Sequence, residues 1–258
     1  MFRTYNPIAN GNNISYISIM IDADSSYDQN NYLFGAIYHD RVNEVDEALA
    51  RGASDFEGAA TVAAGRGNLD MLKMMINLGA VNYAIMAHHA TNPYCRDVFE
   101  YLYVNHHHPM MNHYFDQAAY KGSVHILAFG FNIFENFPNY RLELNAEMLL
   151  LKSAEKGHTD CVELCILKGA RNYDDGLRSA AINGHLGTFM LLYRQGVFNV
   201  YECLKLSIDN GHFNILNELR QTHPSLDICK IIKYVLCYHL KNPRNKDAIL
   251  NLLINFQA

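Results

Sequence analysis

Histidine is the residue type in this sequence that most readily suggests chemistry, because several of its thirteen copies stand close together. One group is a run of three with a fourth nearby and a pair upstream: His106, His107, His108, His113, His88 and His89. Zinc takes imidazole ligands at fixed spacing, with further Cys, His or carboxylate ligands completing the site. Three consecutive histidines cannot all face one ion, and Pro109 closes the run as a turn would. We therefore expect a polar turn here, with no metal and no cofactor.

A second group of histidines recurs at a fixed interval, as His158, His185 and His212. Each of them directly follows a glycine, as in Gly157-His158-Thr159-Asp160. A catalytic histidine is normally unique and is oriented by a partner of its own. The periodicity therefore indicates a structural role, and we expect these side chains to hydrogen-bond backbone groups of a neighbouring repeat.

The cysteines do not indicate catalysis either. No Cys-x-x-Cys pair occurs among Cys95, Cys161, Cys165, Cys203, Cys229 and Cys237. Most fall at apolar helix positions, which predicts reduced core thiols of a cytosolic or nuclear protein. Phosphate-binding glycine loops, the Gly-x-Ser-x-Gly motif and the His-Glu-x-x-His motif are also missing from the sequence. The sequence predicts that the protein is not an enzyme.

The charge balance bears on partners and on location. The formal net charge is −5, whereas proteins that bind nucleic acid without sequence preference present a basic face. The acidic stretch from Asp22 to Asp28 lacks the glycine and closing Glu of a calcium loop. The apolar run Ile14 to Ile21 is too short to cross a bilayer, and no signal sequence precedes it. We expect a cytoplasmic protein that binds neither nucleic acid nor membrane.

The glycine-histidine phrases belong to a repeat that runs through most of the chain. Its fourth positions recur at steps of 27 or 28 residues, apart from two longer steps, at Asn43, Asp70, Asp97, His125, Asp160, Gly187, Asn214 and Asp247. A period of this length predicts an array of stacked units. We expect the Asn, Asp or His at the fourth position to cap the helix that follows.

Each repeat predicts two helices joined at the glycine, which closes the first helix in the left-handed conformation. Beyond the expected cap, the second, fifth and sixth positions are apolar, as in Leu72, Met75 and Ile76, and form one helix stripe. Small pairs such as Ala63-Ala64 in the first helices favour close helix approach. A linker of the form Gly-Ala-x-Asx-aromatic follows, in which we expect the Asx to form a turn or a cap and the aromatic to start the next helix and pack inward.

The segments AAGRGNLDMLKMMINLGA (63–80) and SAEKGHTDCVELCILKGA (153–170) resemble the second half of the ankyrin repeat. The resemblance implies an all-α fold, an ankyrin-like solenoid of about eight short helix-turn-helix repeats. Two departures are the missing Thr-Pro-Leu-His opening and a period of 27 residues, against about 33 in ankyrin repeats. The short repeat and the richness in Asn, Tyr and Ile resemble ankyrin proteins of large DNA viruses.

The expected domain organisation has three parts. Residues 1–31 form an N-terminal capping segment with a short strand-like stretch, and residues 32–258 form the array, which ends in a C-terminal helical cap. An insertion lengthens the period near residues 131–144, where we expect a loop. Loops that interrupt a repeat are candidates for function.

The candidate binding residues lie in that insertion: Phe134, Phe137, Asn139, Tyr140 and Arg141. Aromatic and arginine side chains are the usual anchors of protein interfaces. An alternative is that the aromatic residues, which include Phe131, only fold the insertion onto the solenoid.

The expected function is a non-catalytic scaffold that binds a protein partner on the concave solenoid surface, which first-helix and linker residues form. The viral resemblance implies a host protein as the partner and the host cytoplasm as the location. Two alternatives remain: a structural or virion-associated component, and a ubiquitin-ligase substrate adaptor. The Leu-Pro opening of the F-box that such an adaptor carries is not visible near the C-terminus.

Overall fold

The computed structural model describes residues 29–106, 111–136, 144–196 and 200–222 of the 258-residue chain. Over these ranges the backbone forms fourteen α-helices and no β-strand, which confirms the all-α prediction. The chain divides into two compact units, residues 1–89 and 90–258. The first unit contains α1 (Gln29–Tyr38), α2 (Val42–Ala50), α3 (Phe56–Arg66), α4 (Leu69–Asn77) and α5 (Tyr83–His89). The second contains α6 (Arg96–Asn105), α7 (Met111–Lys121), α8 (Val124–Asn136), α9 (Ala146–Lys156), α10 (Thr159–Leu167), α11 (Tyr173–Asn183), α12 (Leu186–Tyr193), α13 (Val200–Asp209) and α14 (Phe213–Thr222).

The first helices of each unit pack in one row, and the second helices of the second unit pack in another. The odd-numbered first helices pack against one another in chain order, α1 on α3 and α3 on α5 in one unit, and α7, α9, α11 and α13 in the other. The even-numbered second helices of the second unit pack in the same order, from α6 and α8 through to α14. Helix α1 also packs against α2 and α3 against α4, and from α7 onward each first helix packs against the second helix that follows it. Helix pairs of this kind bury their apolar faces mainly against their neighbours.

A glycine in the left-handed conformation joins α3 to α4, α7 to α8, α9 to α10, α11 to α12 and α13 to α14, as the sequence predicts. The φ angles are 72° at Gly67, 78° at Gly122, 76° at Gly157 and 75° at Gly184. An L-residue with a Cβ is strained at such angles, whereas glycine is not.

The predicted helix caps at the fourth positions are wrong within the described residues, because these positions already lie inside helices, and Asp247 lies outside the described residues. Asn68, which directly follows Gly67, is the cap of α4, and its side chain accepts a hydrogen bond from the Met71 amide at 3.0 Å. The left-handed glycine turns the chain so tightly that the next residue already has cap geometry. Asp70 and Asp160 therefore lie in the first turns of α4 and α10, where their charge favours the positive helix end.

The second and fifth positions of the predicted stripe form the core. The side chains at the second position are at most 2% exposed in every described repeat: Val45, Leu72, Phe99, Leu127, Val162, Phe189 and Leu216. The sixth position is less buried than predicted, since Leu49, Ile76 and Ile166 are only half-buried. The position directly before the second is instead buried in most repeats, at Met71, Val98, Ile126, Cys161, Thr188 and Ile215. The buried face of each second helix is thus rotated toward its neighbours relative to the prediction.

Small residues hold the helices close together. The predicted small pairs are all fully buried, at Ala63, Ala64, Ala118, Ala119, Ser153, Ala154, Ala180 and Ala181. Gly130 in α8 leaves room for an aromatic ring, because a Cβ at this position would lie 2.4 Å from Cε1 of Phe115. The absence of a side chain at Gly130 therefore sets the packing distance between α7 and α8.

The linkers behave largely as predicted. Asp55 caps α3 by accepting from the Gly58 amide at 2.9 Å, and Asn82 accepts from the Ile85 amide at 3.4 Å at the start of α5. Asn172 precedes α11 without a capping side-chain hydrogen bond. The linker aromatics Phe56, Tyr83 and Tyr173 each begin a first helix and are half-buried.

The loop expected from residue 131 is wrong for its first six residues. These residues continue α8 to Asn136, so that Phe131 is a core residue at 3% exposure. Helix α1 likewise begins at Gln29, three residues before the expected start of the array. Residues 1–28, 107–110, 137–143, 197–199 and 223–258 lie outside the described residues, and with them most of the capping segment, the strand-like stretch, the rest of the insertion and the C-terminal cap.

Candidate interaction surface

The periodic histidines join neighbouring helix pairs, which confirms the predicted bonds to the backbone. The ring atom Nε2 of His158 lies 2.9 Å from the carbonyl oxygen of Tyr120. His185 makes the same contact with Glu155, and His212 with Ile182, both at 2.9 Å. In each case Nε2–H donates to a carbonyl in the last turn of the preceding first helix, where backbone acceptors have no helical partner. These histidines fix one helix pair to the next.

The histidine rings also explain the glycines that they contact. A Cβ at Gly122 would lie 2.5 Å from Nδ1 of His158, and a Cβ at Gly157 would lie 2.6 Å from Nδ1 of His185. There are therefore two reasons for glycine at each of these positions: the backbone is left-handed, and the histidine ring occupies the space that a Cβ would need.

A second set of hydrogen bonds, which the sequence pattern does not predict, joins first helices to the linkers that follow the next second helix. The carboxylate of Glu57 accepts from the amides of Val81 and Asn82, at 2.7 and 3.1 Å for the shorter contact with each. Glu147 accepts from the amides of Arg171 and Asn172 at 2.9 and 2.8 Å. Asn30 of α1 makes the equivalent contacts with Ser54 and Asp55. Each donor pair lies in the next linker, and each acceptor is the second residue of its helix.

In the second unit, one side of each first helix takes no part in these hydrogen bonds and carries exposed side chains. Two positions on each of these four helices are exposed. The residue two positions before the closing glycine is Tyr120, Glu155, Ile182 or Asp209. The residue nine positions before it is His113, Met148, Asp175 or Glu202. Positions seven residues apart are two helical turns apart and lie on one side. We call this surface, formed by α7, α9, α11 and α13, the first-helix face.

Side chains from neighbouring helices meet on the first-helix face. The Lys156 ammonium lies 4.3 Å from the ring centroid of Tyr120, and the pKa of Lys156 is raised, chiefly by its side-chain hydrogen bond to Tyr120. Asp116 accepts from Lys152 at 3.1 Å. These contacts connect α7 to α9, so this part of the face is one continuous surface of aromatic, apolar and charged groups.

Phe134, the one predicted binding residue that the structure describes, is not on this face. Phe134 lies on α8, a second helix, and is 44% exposed, beside Glu135, which accepts from Lys168 at 2.6 Å. Phe137, Asn139, Tyr140 and Arg141 lie outside the described residues. Their role in binding remains a prediction.

The other chemical groups of the sequence are dispersed or buried. Within the described ranges, no three His, Cys, Asp or Glu side chains lie together as metal ligands would. His107 and His108 lie outside those ranges. Burial raises the pKa of the Cys161 and Cys165 thiols to about 12 and that of Cys203 to about 11. A nucleophilic cysteine needs the opposite shift and an accessible sulfur.

No protein-family model matches the chain, and no curated protein matches it. Among the helices of the described ranges, none has both the length and the apolar character that crossing a membrane requires. The function is therefore inferred from the repeat and from the groups that it exposes.

Proposed function

We propose that the protein is a non-catalytic scaffold that binds a protein partner through the first-helix face. The observation that carries this proposal is a contrast within the repeat. Three of the four first helices carry two small buried residues three and four positions before the closing glycine, as in Ala118-Ala119 and Ala180-Ala181. Two positions before the same glycine stand an exposed Tyr, Glu, Ile and Asp in turn.

Such a contrast suits the binding of a partner, because the residues that pack the helices and the residues exposed to a partner are different residues. Buried positions with similar side chains keep the helices in register, and exposed positions are free to match a partner. Aromatic and apolar residues flanked by charges, as at Tyr120, Met148 and Ile182, are typical of interface anchors with a polar surround.

The proposal extends to the class of repeat. We infer an ankyrin-like solenoid because the closing glycines, the small pairs and the glycine-histidine turns match the segments that resemble ankyrin repeats. The first-helix face would then belong to the concave side, which is the extended binding surface of such arrays. A host protein is the partner that the viral resemblance implies.

Affinity capture with paired variants tests the proposal. A triple variant, Tyr120→Ser, Met148→Ser and Ile182→Ser, should lose a discrete partner that the unaltered chain captures from cell lysate. The control is Leu167→Ser, which removes a side chain that is 77% exposed on the second helix α10. Equal capture by both variants would exclude the first-helix face, and self-association in sedimentation without a captured partner would favour a structural component.

A further inference from the structure

A cavity of about 590 Å³ opens in the first unit where the second unit holds a histidine ring. It is lined by the ends of α1 and α3, the turns that follow them and the start of α4, with Tyr38, Asp40, Arg66, Asn68 and Asp70 among the lining residues. Asp40 takes the place of a closing glycine and has a left-handed φ of 57°. Asn68 follows Gly67 directly, as His185 follows Gly184. The cavity is therefore the counterpart of the histidine positions of the second unit.

The junction in the first unit and the three histidine junctions in the second unit differ in the side chain that fills this space. In the second unit, an imidazole reaches the carbonyl two residues before the preceding closing glycine. In the first unit, the shorter Asn68 donates from Nδ2 to Oδ1 of Asp40 at 2.7 Å. The counterpart of the bonded carbonyl is that of Tyr38, in the last turn of α1, where carbonyls have no helical partner. The three filled junctions show that this position accepts a planar group with an N–H donor.

The charged residues that line the cavity indicate that a ligand donating hydrogen bonds there is positively charged. The carboxylates of Asp40 and Asp70 outnumber the one cation, Arg66, whose guanidinium already lies 4.5 Å from the Tyr38 ring centroid. Backbone and carboxylate oxygens both accept hydrogen bonds, so a cationic donor suits them. A guanidinium is planar, always charged and carries five N–H groups.

We propose that this cavity binds an arginine side chain of a protein partner. The inference rests on the proposed function, because it adds a second contact to a partner held by the first-helix face. Guanidinium N–H groups would donate to the Tyr38 carbonyl and to the Asp40 and Asp70 carboxylates, in the space that a histidine ring occupies at the other junctions.

The first test uses the full chain and a small probe, N-acetyl-arginine methylamide, in an NMR titration. The amides of Tyr38, Asp40 and Asn68 should shift saturably with this probe. The citrulline analogue has the same shape without the charge, and it should bind about tenfold or more weakly, because charge-assisted hydrogen bonds are lost. Equal shifts with both probes would overturn the proposal.

Variants locate the site. Asp40→Asn with Asp70→Asn should weaken binding by about tenfold or more, and asparagine tolerates the left-handed backbone at residue 40. Asp46→Asn, an exposed carboxylate on α2, is the matched control and should bind as the unaltered chain does. Asp40→Gly with Asn68→His should block the probe by supplying an internal ring.

The amide spectrum of each variant shows whether the fold is intact. Retained binding of the arginine probe in the Asp40→Asn and Asp70→Asn double variant, or in the Asp40→Gly and Asn68→His double variant, would overturn the proposal. The titration needs no protein partner, so its failure is distinguishable from failure of the proposed function. Loss of the arginine site with intact capture on the first-helix face would leave that function standing.

Discussion

His158 donates from Nε2 to the carbonyl oxygen of Tyr120 at 2.9 Å, although the two residues are 38 positions apart in the chain. The ring of the same histidine packs against Gly122, which closes the helix that carries Tyr120. One side chain thus satisfies a backbone acceptor and fills the space above a left-handed turn. The equivalent histidines of the next two repeats repeat this arrangement, which makes its energetic contribution testable at a single junction.

Replacing His185 with alanine should lower the free energy of unfolding by about 1 kcal/mol, the usual net contribution of one hydrogen bond. The Glu155 carbonyl would lose its donor, and the ring would leave a gap above Gly157. Urea unfolding measures the change. His125→Ala is the control, because His125 is exposed, and its effect should stay within about 0.5 kcal/mol. Equal effects of the two changes would contradict the role of the histidine bond.

Gly157→Ala should be more destabilising than Gly169→Ala. Both glycines have positive φ, 76° and 100°, so both substitutions strain the backbone by about 1–2 kcal/mol. Only at Gly157 does the new Cβ also meet a ring, since the space around Gly169 is open. In a His185→Ala background the additional cost at Gly157 should disappear. A cost that is unchanged in that background would show that the ring is not responsible.

Phe131 and Phe134 should respond in opposite ways to replacement by alanine, although both lie on α8. Phe131 is buried, so Phe131→Ala should cost about 3–5 kcal/mol of unfolding free energy. Phe134 is 44% exposed, so Phe134→Ala should change it by less than about 0.5 kcal/mol. If Phe134→Ala proved as costly as Phe131→Ala, Phe134 would belong to the core rather than to a binding surface.

The buried thiols should make stability fall at high pH. Burial raises the pKa of Cys165 from 9.0 to about 12, which favours the neutral thiol in the folded chain. This contribution is complete below the unfolded pKa and is lost as the pH rises from about 9 toward about 12. Urea unfolding of the unaltered chain and of Cys165→Ala should therefore show a stability difference that narrows with rising pH. If the unfolding free energies of the two chains changed with pH in parallel, the raised pKa of Cys165 would not be the cause of the loss of stability.

The sequence predicted the features that depend on strict periodicity. Glycine before histidine at a constant interval indicated both the left-handed turn and the bond from His158 to the backbone, because repetition excludes a unique catalytic role. Small pairs such as Ala180-Ala181 indicated close packing for the same reason. The all-α fold follows from the helical spacing of the apolar positions.

Features that depend on local geometry were harder to predict. The repeat pattern predicts a cap at Asp70, whereas Asn68 is the cap, because the pattern does not show how tightly the left-handed glycine turns the chain. The lengthened period predicts a loop at Phe131, whereas helix α8 continues through this point to Asn136. Glu147 resembles an ordinary acidic residue in a first helical turn, and its bonds to the next linker follow only from the packing of neighbouring pairs.

The ties of the second unit connect adjacent helix pairs: Glu147 reaches amides 24 and 25 residues away, and His185 reaches a carbonyl 30 residues away. A duplicated stretch of 27 residues, the interval from His158 to His185, would arrive with its own turn, its own imidazole and its own outward-facing side chains. Whole repeats can therefore be gained or lost while the hydrogen bonds between the remaining helix pairs are kept. The number of repeats and the identity of the exposed side chains can then change independently of each other.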